Sequence, residues 1–248
     1  MELMQIPYIY LFLILLPLVA FMYAGVGHGG ASGYLALMAL FLFPPEIMKP
    51  TALLLNIFVS GISFLMFKNR GHFKWKLFYP FALASIPMAF VGGYLEVEPS
   101  VYKKVLGALL VFAVLRMLGF LGKEKENLSQ LKLWQGLLVG GFIGFFSGMI
   151  GIGGGIILSP IILLAGWGKM KETAAVSALF ILVNSISGMS GYIINGAGID
   201  AESFVLVAFA LTGGIAGAYF GSSKMNNVQL RYMLAFVLVI ASLKLLFT

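Results

Sequence analysis

Eight long apolar stretches divide the chain: residues 4–26, 51–67, 77–95, 101–121, 133–150, 173–194, 203–222 and 229–247, with polar, glycine or proline punctuation between them. At 1.5 Å per residue, a run of about 20 residues matches a hydrocarbon layer of about 30 Å, and within lipid only a helix satisfies its own backbone groups. The pattern predicts eight long transmembrane helices. Two further apolar runs, 31–43 and 155–167, reach only about 20 Å as helices. Each follows a glycine string, Gly27-His28-Gly29-Gly30-Ala31-Ser32-Gly33 in one case and Gly151-Ile152-Gly153-Gly154-Gly155 in the other. These short runs read as half-helices or re-entrant segments.

Each half of the chain therefore reads long, glycine break, short, long, long, long. Gly29-Gly30 aligns with Gly153-Gly154, Thr51-Ala52-Leu53 with Ser177-Ala178-Leu179, and Ser60-Gly61 with Ser187-Gly188. An internal duplication explains this: a first transmembrane repeat over 1–122, a cytoplasmic linker over 123–132 and a second repeat over 133–248. Charge orients the copies. The connection after residue 67 carries Lys68, Arg70, Lys74 and Lys76, whereas its counterpart, 195–202, carries Asp200 and Glu202 and neither Lys nor Arg. If the basic connection faces the cytoplasm, alternating segments place Arg116, Lys123, Lys125, Lys132, Lys169, Lys171, Lys224 and Arg231 inside with it. Lys49, Lys103, Lys104 and Lys244 then fall outside. The expected fold is an all-α polytopic membrane protein of two inverted repeats, each with a glycine-broken half-helix, giving eight long helices and two short ones, with both termini outside. Were each break and short helix to complete one crossing with the preceding run, the copies would be parallel; the loop charges disfavour that.

Composition agrees with a bilayer. Hydrophobic residues make up 60% of the 248 and charged residues 10%, against about a quarter charged in soluble domains. The net charge of +7 resides in short connections, where it has a topological meaning, so nucleic acid is not an expected partner. The first stretch has no basic residue ahead of it and exceeds a signal-peptide core, so it is expected to be retained. The chain has no cysteine, which excludes disulfides and thiolate sites. With one histidine at membrane depth there is no ligand set for a metal, and no cofactor is called for. The spans also lack a Ser-His-carboxylate set and paired carboxylates, so an enzyme is not expected.

Irregular backbone at membrane depth lines a cavity or is buried in protein. Glycines leave successive amides pointing one way, and a helix starting just after them adds its positive dipole end, which together make an anion-binding geometry. The candidate donors are Gly29, Gly30, Ala31 and Ser32 in the first copy and Gly153, Gly154 and Gly155 in the second. Under inverted symmetry the two starts converge near the midplane. Close helix packing is the other use of such glycines, and it suffices for Gly140, Gly141, Gly144, Gly213, Gly214 and Gly217. Asn56, Asn184, Thr51 and Ser177, with Ser60, Ser63, Ser185, Ser187 and Ser190, can donate to an anion or serve as interhelical glue. Ser159, ahead of Pro160, could cap a helix or line a cavity. His28 is the one ionisable side chain in either break. It is a candidate for proton coupling, or else a neutral imidazole bonded to a carbonyl. No Asp or Glu lies in the middle of an apolar run. Coupling then rests on His28, on a proton carried by the substrate, or on the membrane potential alone, which is worth about 2.3 kcal/mol per 100 mV to a departing monoanion.

Gly151 through Gly155 leading to Pro160, then Ala174–Leu179 and Asn184–Gly188, with looser copies in the first half, resembles the sulfite exporter TauE/SafE family, also called the toluene-sulfonate uptake permeases. The first copy departs from the pattern, with Ala31 in the third glycine position, Ala36 in the proline position and His28 interrupting the string. The resemblance implies a multi-pass protein of the prokaryotic cell (inner) membrane, and a permease, favoured as an exporter, for sulfite, an organosulfonate or a related small sulfur-containing anion. An anion channel, or a uniporter for another oxyanion or a carboxylate, is the alternative. The lipid bilayer and the anion are the expected partners, and the pattern leaves room for a homo-oligomer.

Overall fold

The computed structural model describes residues 6–95, 128–196 and 198–224, with isolated positions beyond them. Regular structure among them is entirely helical: α1 (Ile9–Gly25), α2 (Ala31–Leu40), α3 (Pro45–Asn69), α4 (Trp75–Tyr94), α5 (Leu133–Ile150), α6 (Gly155–Ala165), α7 (Met170–Ile194) and α8 (Ser203–Ser223). Six of the long runs and both short runs are therefore helices. The expected span over 101–121, apart from isolated positions, and that over 229–247 lie outside the described residues, as do Lys103, Arg116, Lys123, Lys125, Arg231, Lys244 and the first half of the linker over 123–132. Helices α3, α4, α5, α7 and α8 are each long and apolar enough to cross a membrane. α1, at 17 residues, and α2, at 10, are shorter apolar helices.

Helices α3, α4 and α7 begin earlier than the hydrophobic pattern suggests, α7 and α3 for a distinct local reason each. α7 starts at Met170 because the Glu172 carboxylate accepts the Lys169 amide at 3.2 Å and closes a capping box. α3 starts at Pro45 rather than Thr51: a proline in the first turn has a preset φ and no amide to satisfy, and Glu46 beside it complements the dipole. This corrects the place of Lys49. It belongs to α3, not to a connection, and is buried (7% exposed), its Nζ donating to the Gly93 carbonyl at 3.1 Å and lying 5.2 Å from the Tyr192 ring centre.

Among the described residues, two pairs of helices, α4 with α5 and α1 with α8, meet through glycine rails. Going up α5, Gly136, Gly140, Gly144 and Gly148 lie in turn against Pro80, Phe81, Ser85 and Ala89 of α4. Going up α8, Gly213, Gly217 and Gly221 lie against Pro17, Phe21 and Gly25 of α1. Both series ascend together, so α5 runs parallel to α4 and α8 parallel to α1. Without Cβ atoms the backbones approach closely enough for dispersion and Cα–H contacts. α3 is antiparallel to α4, because Lys49 near its start meets Gly93 near the end of α4. α7 runs with α4, from the Lys74–Glu172 pair (3.8 Å) at their starts to the contact of Gly191 with Phe90.

Each short helix doubles back on the long helix before it. The ring of Phe12 on α1 lies 5.5 Å from Phe41 and 4.8 Å from Phe43, beyond the end of α2. Trp167, after α6, lies 5.9 Å from Phe81, beside the start of α5. The hairpins α1–α2 and α5–α6 thus enter from opposite ends of the bundle. At one end gather Lys68, Arg70, Lys74, Lys76, Lys132, Lys169, Lys171 and Lys224, with Lys171 reaching the Ser222 carbonyl at 3.4 Å and Arg70 over the Tyr219 ring at 5.9 Å. Glu46, Asp200, Glu202 and Lys49 lie at the other.

Candidate functional site

The hairpin tips are the two glycine strings. In the first, Gly27 and Gly30 take positive φ, and Gly30, at 101°, is the N-cap of α2. In the second, Gly151, Gly153 and Gly154 do so, and Gly154, at 78°, is the N-cap of α6. Two left-handed residues in succession, Gly153 and Gly154, reverse the chain within one turn, a conformation L side chains rarely tolerate. Among the described residues, the amides of Gly29, Gly30, Gly153, Gly154 and Gly155 meet no acceptor. The first turn of a helix leaves such donors open, and here they are buried.

One side chain touches both tips. Asn56, in α3 and fully buried, accepts the Ala31 amide on Oδ1 at 3.0 Å and donates from Nδ2 to Ser185 Oγ of α7 at 3.3 Å. A methyl group added to Gly153 would lie 2.5 Å from that Nδ2, and one added to Gly29 would strike Oδ1; Ile181 of α7 bounds both glycines. The tips are therefore neighbours, wedged between α3 and α7. His28 links them a second time. Its Nε2 lies 3.2 Å from the Gly155 carbonyl and 2.9 Å from Ser159 Oγ, and Ser159 continues to Ser177 Oγ at 2.7 Å. Donation to a carbonyl requires a proton on Nε2, so the Gly155 contact selects that tautomer or the imidazolium. Ser32 is close by in sequence but turned away, its hydroxyl donating to Tyr23 Oη at 2.9 Å.

Of the residues read from sequence, the structure brings together Gly29, Ala31, Asn56, Gly153, Gly155, His28 and Ser177. Gly30 and Gly154 stand beside them as N-caps. Thr51 is not in this group: aligned with Ser177, it pairs instead with Ser203 of α8 at 2.9 Å. Asn184 donates to the Phe180 carbonyl of its own helix at 2.8 Å, leaving its buried Oδ1 without a partner. The sequence pattern does not single out Tyr34, which crowds Gly30, or Ser147, whose Cβ is in ordinary contact with Gly154. The signal for Tyr34 was its position four residues after the N-cap, from which a helical side chain leans back toward the helix start. His72 stands outside the membrane-spanning segments; partial burial, then Lys171 and Arg70, hold its imidazole below its ordinary pKa against the opposing pull of Glu172.

The described residues contain no cluster of three or more His, Cys, Asp or Glu able to hold a metal ion. The arrangement offers neutral donors, two helix starts and one imidazole, which together can hold a small anion and exchange a proton near it. The model of the family described as sulfite exporter TauE/SafE matches residues 11–245. A probable membrane transporter protein of Sinorhizobium fredii is 39% identical over 233 residues, covering 92% of this chain and 94% of that one. Another from Methanocaldococcus jannaschii is 29% identical over 207 residues, covering 79% and 77%, and one from Escherichia coli K12 is 28% identical over 172, covering 66% and 63%. No solved structure matches significantly. With the family pattern running nearly from end to end of a helical, glycine-broken bundle, this chain belongs to the TauE/SafE sulfite exporter family of membrane transporters.

Proposed function

We propose that the protein is a secondary transporter for a small sulfur-containing anion, sulfite or an organosulfonate, held near the bilayer midplane between the starts of α2 and α6. Export is the favoured direction, down the negative-inside potential. The observation that carries this reading is the meeting of two glycine tips whose open amides and helix dipoles belong to opposite hairpins. A double cluster of amide donors, buried and without a fixed countercharge of the same kind, favours a negative guest and disfavours a cation.

The same reading makes the two units inverted repeats. α1 and α5, α3 and α7, and α4 and α8 are corresponding helices of opposite direction, and exchanging the units exchanges the α4–α5 contact with the α1–α8 contact. Such a plan allows alternating access by rocking one unit against the other about a fixed site. The units touch along the glycine rails, through the His28–Ser159 and Asn56–Ser185 links and where α3 and α4 pack on α7, and that motion has to be accommodated at these contacts. The lysine-rich end faces the cytoplasm of a prokaryotic cell under the positive-inside rule.

Two measurements test this. Single cysteines are placed at Asn69 and Gly198, both exposed, in a background that has no cysteine of its own. An impermeant maleimide is expected to label Gly198→Cys from outside intact cells and Asn69→Cys only after the membrane is opened; labelling of both from one face overturns the topology. In proteoliposomes, saturable flux of sulfite, sulfate, thiosulfate or methanesulfonate is expected, with preference among them. Linear, non-saturating flux makes the protein a channel instead. His28→Ala removes the link to Ser159 and is expected to lower the flux; a difference in flux between pH 6 and pH 8 that persists in this variant places the proton on the substrate.

A further inference from the structure

Seven buried side-chain polar atoms among the described residues have no hydrogen-bond partner, and two of them belong to residues at the N-cap glycines: Tyr34, which crowds Gly30, and Ser147, which is in ordinary contact with Gly154. Tyr34 and Ser147 are each wholly buried, at 0% exposure. A methyl group on Gly30 would lie 2.6 Å from the Tyr34 hydroxyl oxygen, and one on Gly154 would lie 3.4 Å from Ser147 Cβ. The other five such atoms, on Ser60, Ser63, Ser85, Thr173 and Asn184, are not among the groups that crowd either glycine. Around the tips the remaining polar side chains are satisfied: Asn56 by Ala31 and Ser185, His28 by Gly155 and Ser159, Ser159 by Ser177, and Ser32 by Tyr23.

A hydroxyl taken out of water and left without a partner is destabilising, so such groups in a folded protein call for an explanation. One orphan beside each of two corresponding helix starts, each start also carrying open amides, calls for a common one. We propose that Tyr34 Oη and Ser147 Oγ are substrate-binding donors, one at each half-helix start, that determine affinity for an oxyanion; this rests on the anion-site reading above. From the first turn of α2 the Tyr34 ring leans toward the helix start, which brings its hydroxyl to the positive end of the dipole. Ser147 occupies the last turn of α5, before the chain reverses at Gly151. The two arms differ chemically. A long phenol serves one and a short alcohol the other, so an anion bearing oxygens on one side and a different group on the other fits in one orientation. Hydroxyl donors to a charged oxygen are short and strong, and selective for oxyanions over halides of similar size by their direction.

The test compares Tyr34→Phe and Ser147→Ala with the wild type in lipid nanodiscs. Binding of sodium sulfite, sulfate, thiosulfate and methanesulfonate is measured by calorimetry, and thermal stability is measured without anion. Each variant is expected to bind the preferred anion about tenfold more weakly, the effect of losing one hydrogen bond to a charged group, while its anion-free melting temperature is unchanged or higher, because a buried orphan is gone. Wild-type affinity in both variants overturns the proposal. So does weaker binding that tracks a lower anion-free melting temperature, which marks a structural role. Asn56→Asp separates this failure from that of the site itself: if it alone abolishes binding, the hydroxyl proposal falls and the site stands. If all three variants bind like wild type, or the wild type binds none of the four anions, both fall.

Discussion

Asn56→Asp is expected to stop anion transport almost completely. The substitution keeps the shape of the side chain and keeps an acceptor for the Ala31 amide 3.0 Å away, so the start of α2 stays in place. What changes is the charge. The amide nitrogen that lies against Gly153 and reaches Ser185 becomes a carboxylate oxygen, which puts a fixed negative charge between the two tips. A bound anion about 4 Å away is repelled by about 4 kcal/mol at an effective dielectric of 20, close to a thousandfold in affinity. Initial rates of sulfite entry into proteoliposomes measure the effect. Asn56→Leu supplies the contrast, because it loses both hydrogen bonds without adding charge; it leaves the buried Ala31 amide unsatisfied, at about 1–3 kcal/mol, and is expected to lower folded yield more than Asn56→Asp lowers it. Wild-type flux through Asn56→Asp would sink the proposed site, since no anion could then lie beside that side chain.

The parts of this site that depend on backbone are legible in the sequence, because a glycine string between apolar runs has few uses at membrane depth. Gly30 and Gly154 prove to be left-handed N-caps, and their amides follow from that geometry. Side-chain partners across the two units were not legible. His28 and Ser159 are 131 residues apart in the chain, and nothing local relates them. The alignment of Thr51 with Ser177 suggested like roles, yet Ser177 extends the His28–Ser159 chain and Thr51 bonds Ser203. On the proposed duplication, the backbone plan recurs while the polar side chains at matched positions take different partners. The start of α3 departs from the hydrophobic pattern for another reason: Pro44-Pro45 reads as punctuation between elements, whereas a proline at the first helical position begins one. That difference moves Lys49 from an exterior connection to a buried contact with the end of α4.

The rails are where a small substitution has its largest effect on folding. A Cβ on Gly144 would fall on the Ser85 carbonyl oxygen, and Gly140 and Gly148 meet the carbonyls of Phe81 and Ala89 in the same way. These are backbone atoms inside a helix, so they cannot rotate aside, and relief requires α4 and α5 to separate along their length. Overpacking of this kind costs about 3 kcal/mol or more when backbone has to move. In the bilayer there is no hydrophobic effect to hold the helices together once close packing is lost. Gly144→Val is therefore expected to yield little monodisperse protein from detergent. Gly141, next to Gly140 but off the rail, would place a Cβ 3.5 Å from Ala84 Cβ and 3.8 Å from Met88 Cγ, which is ordinary contact. Gly141→Ala is expected to be neutral or to gain up to about 1 kcal/mol from helix propensity. Size-exclusion profiles and melting curves of the pair separate a rail from a merely glycine-rich helix: equal stability of the two variants would mean that α4 and α5 do not rest on one another's backbones.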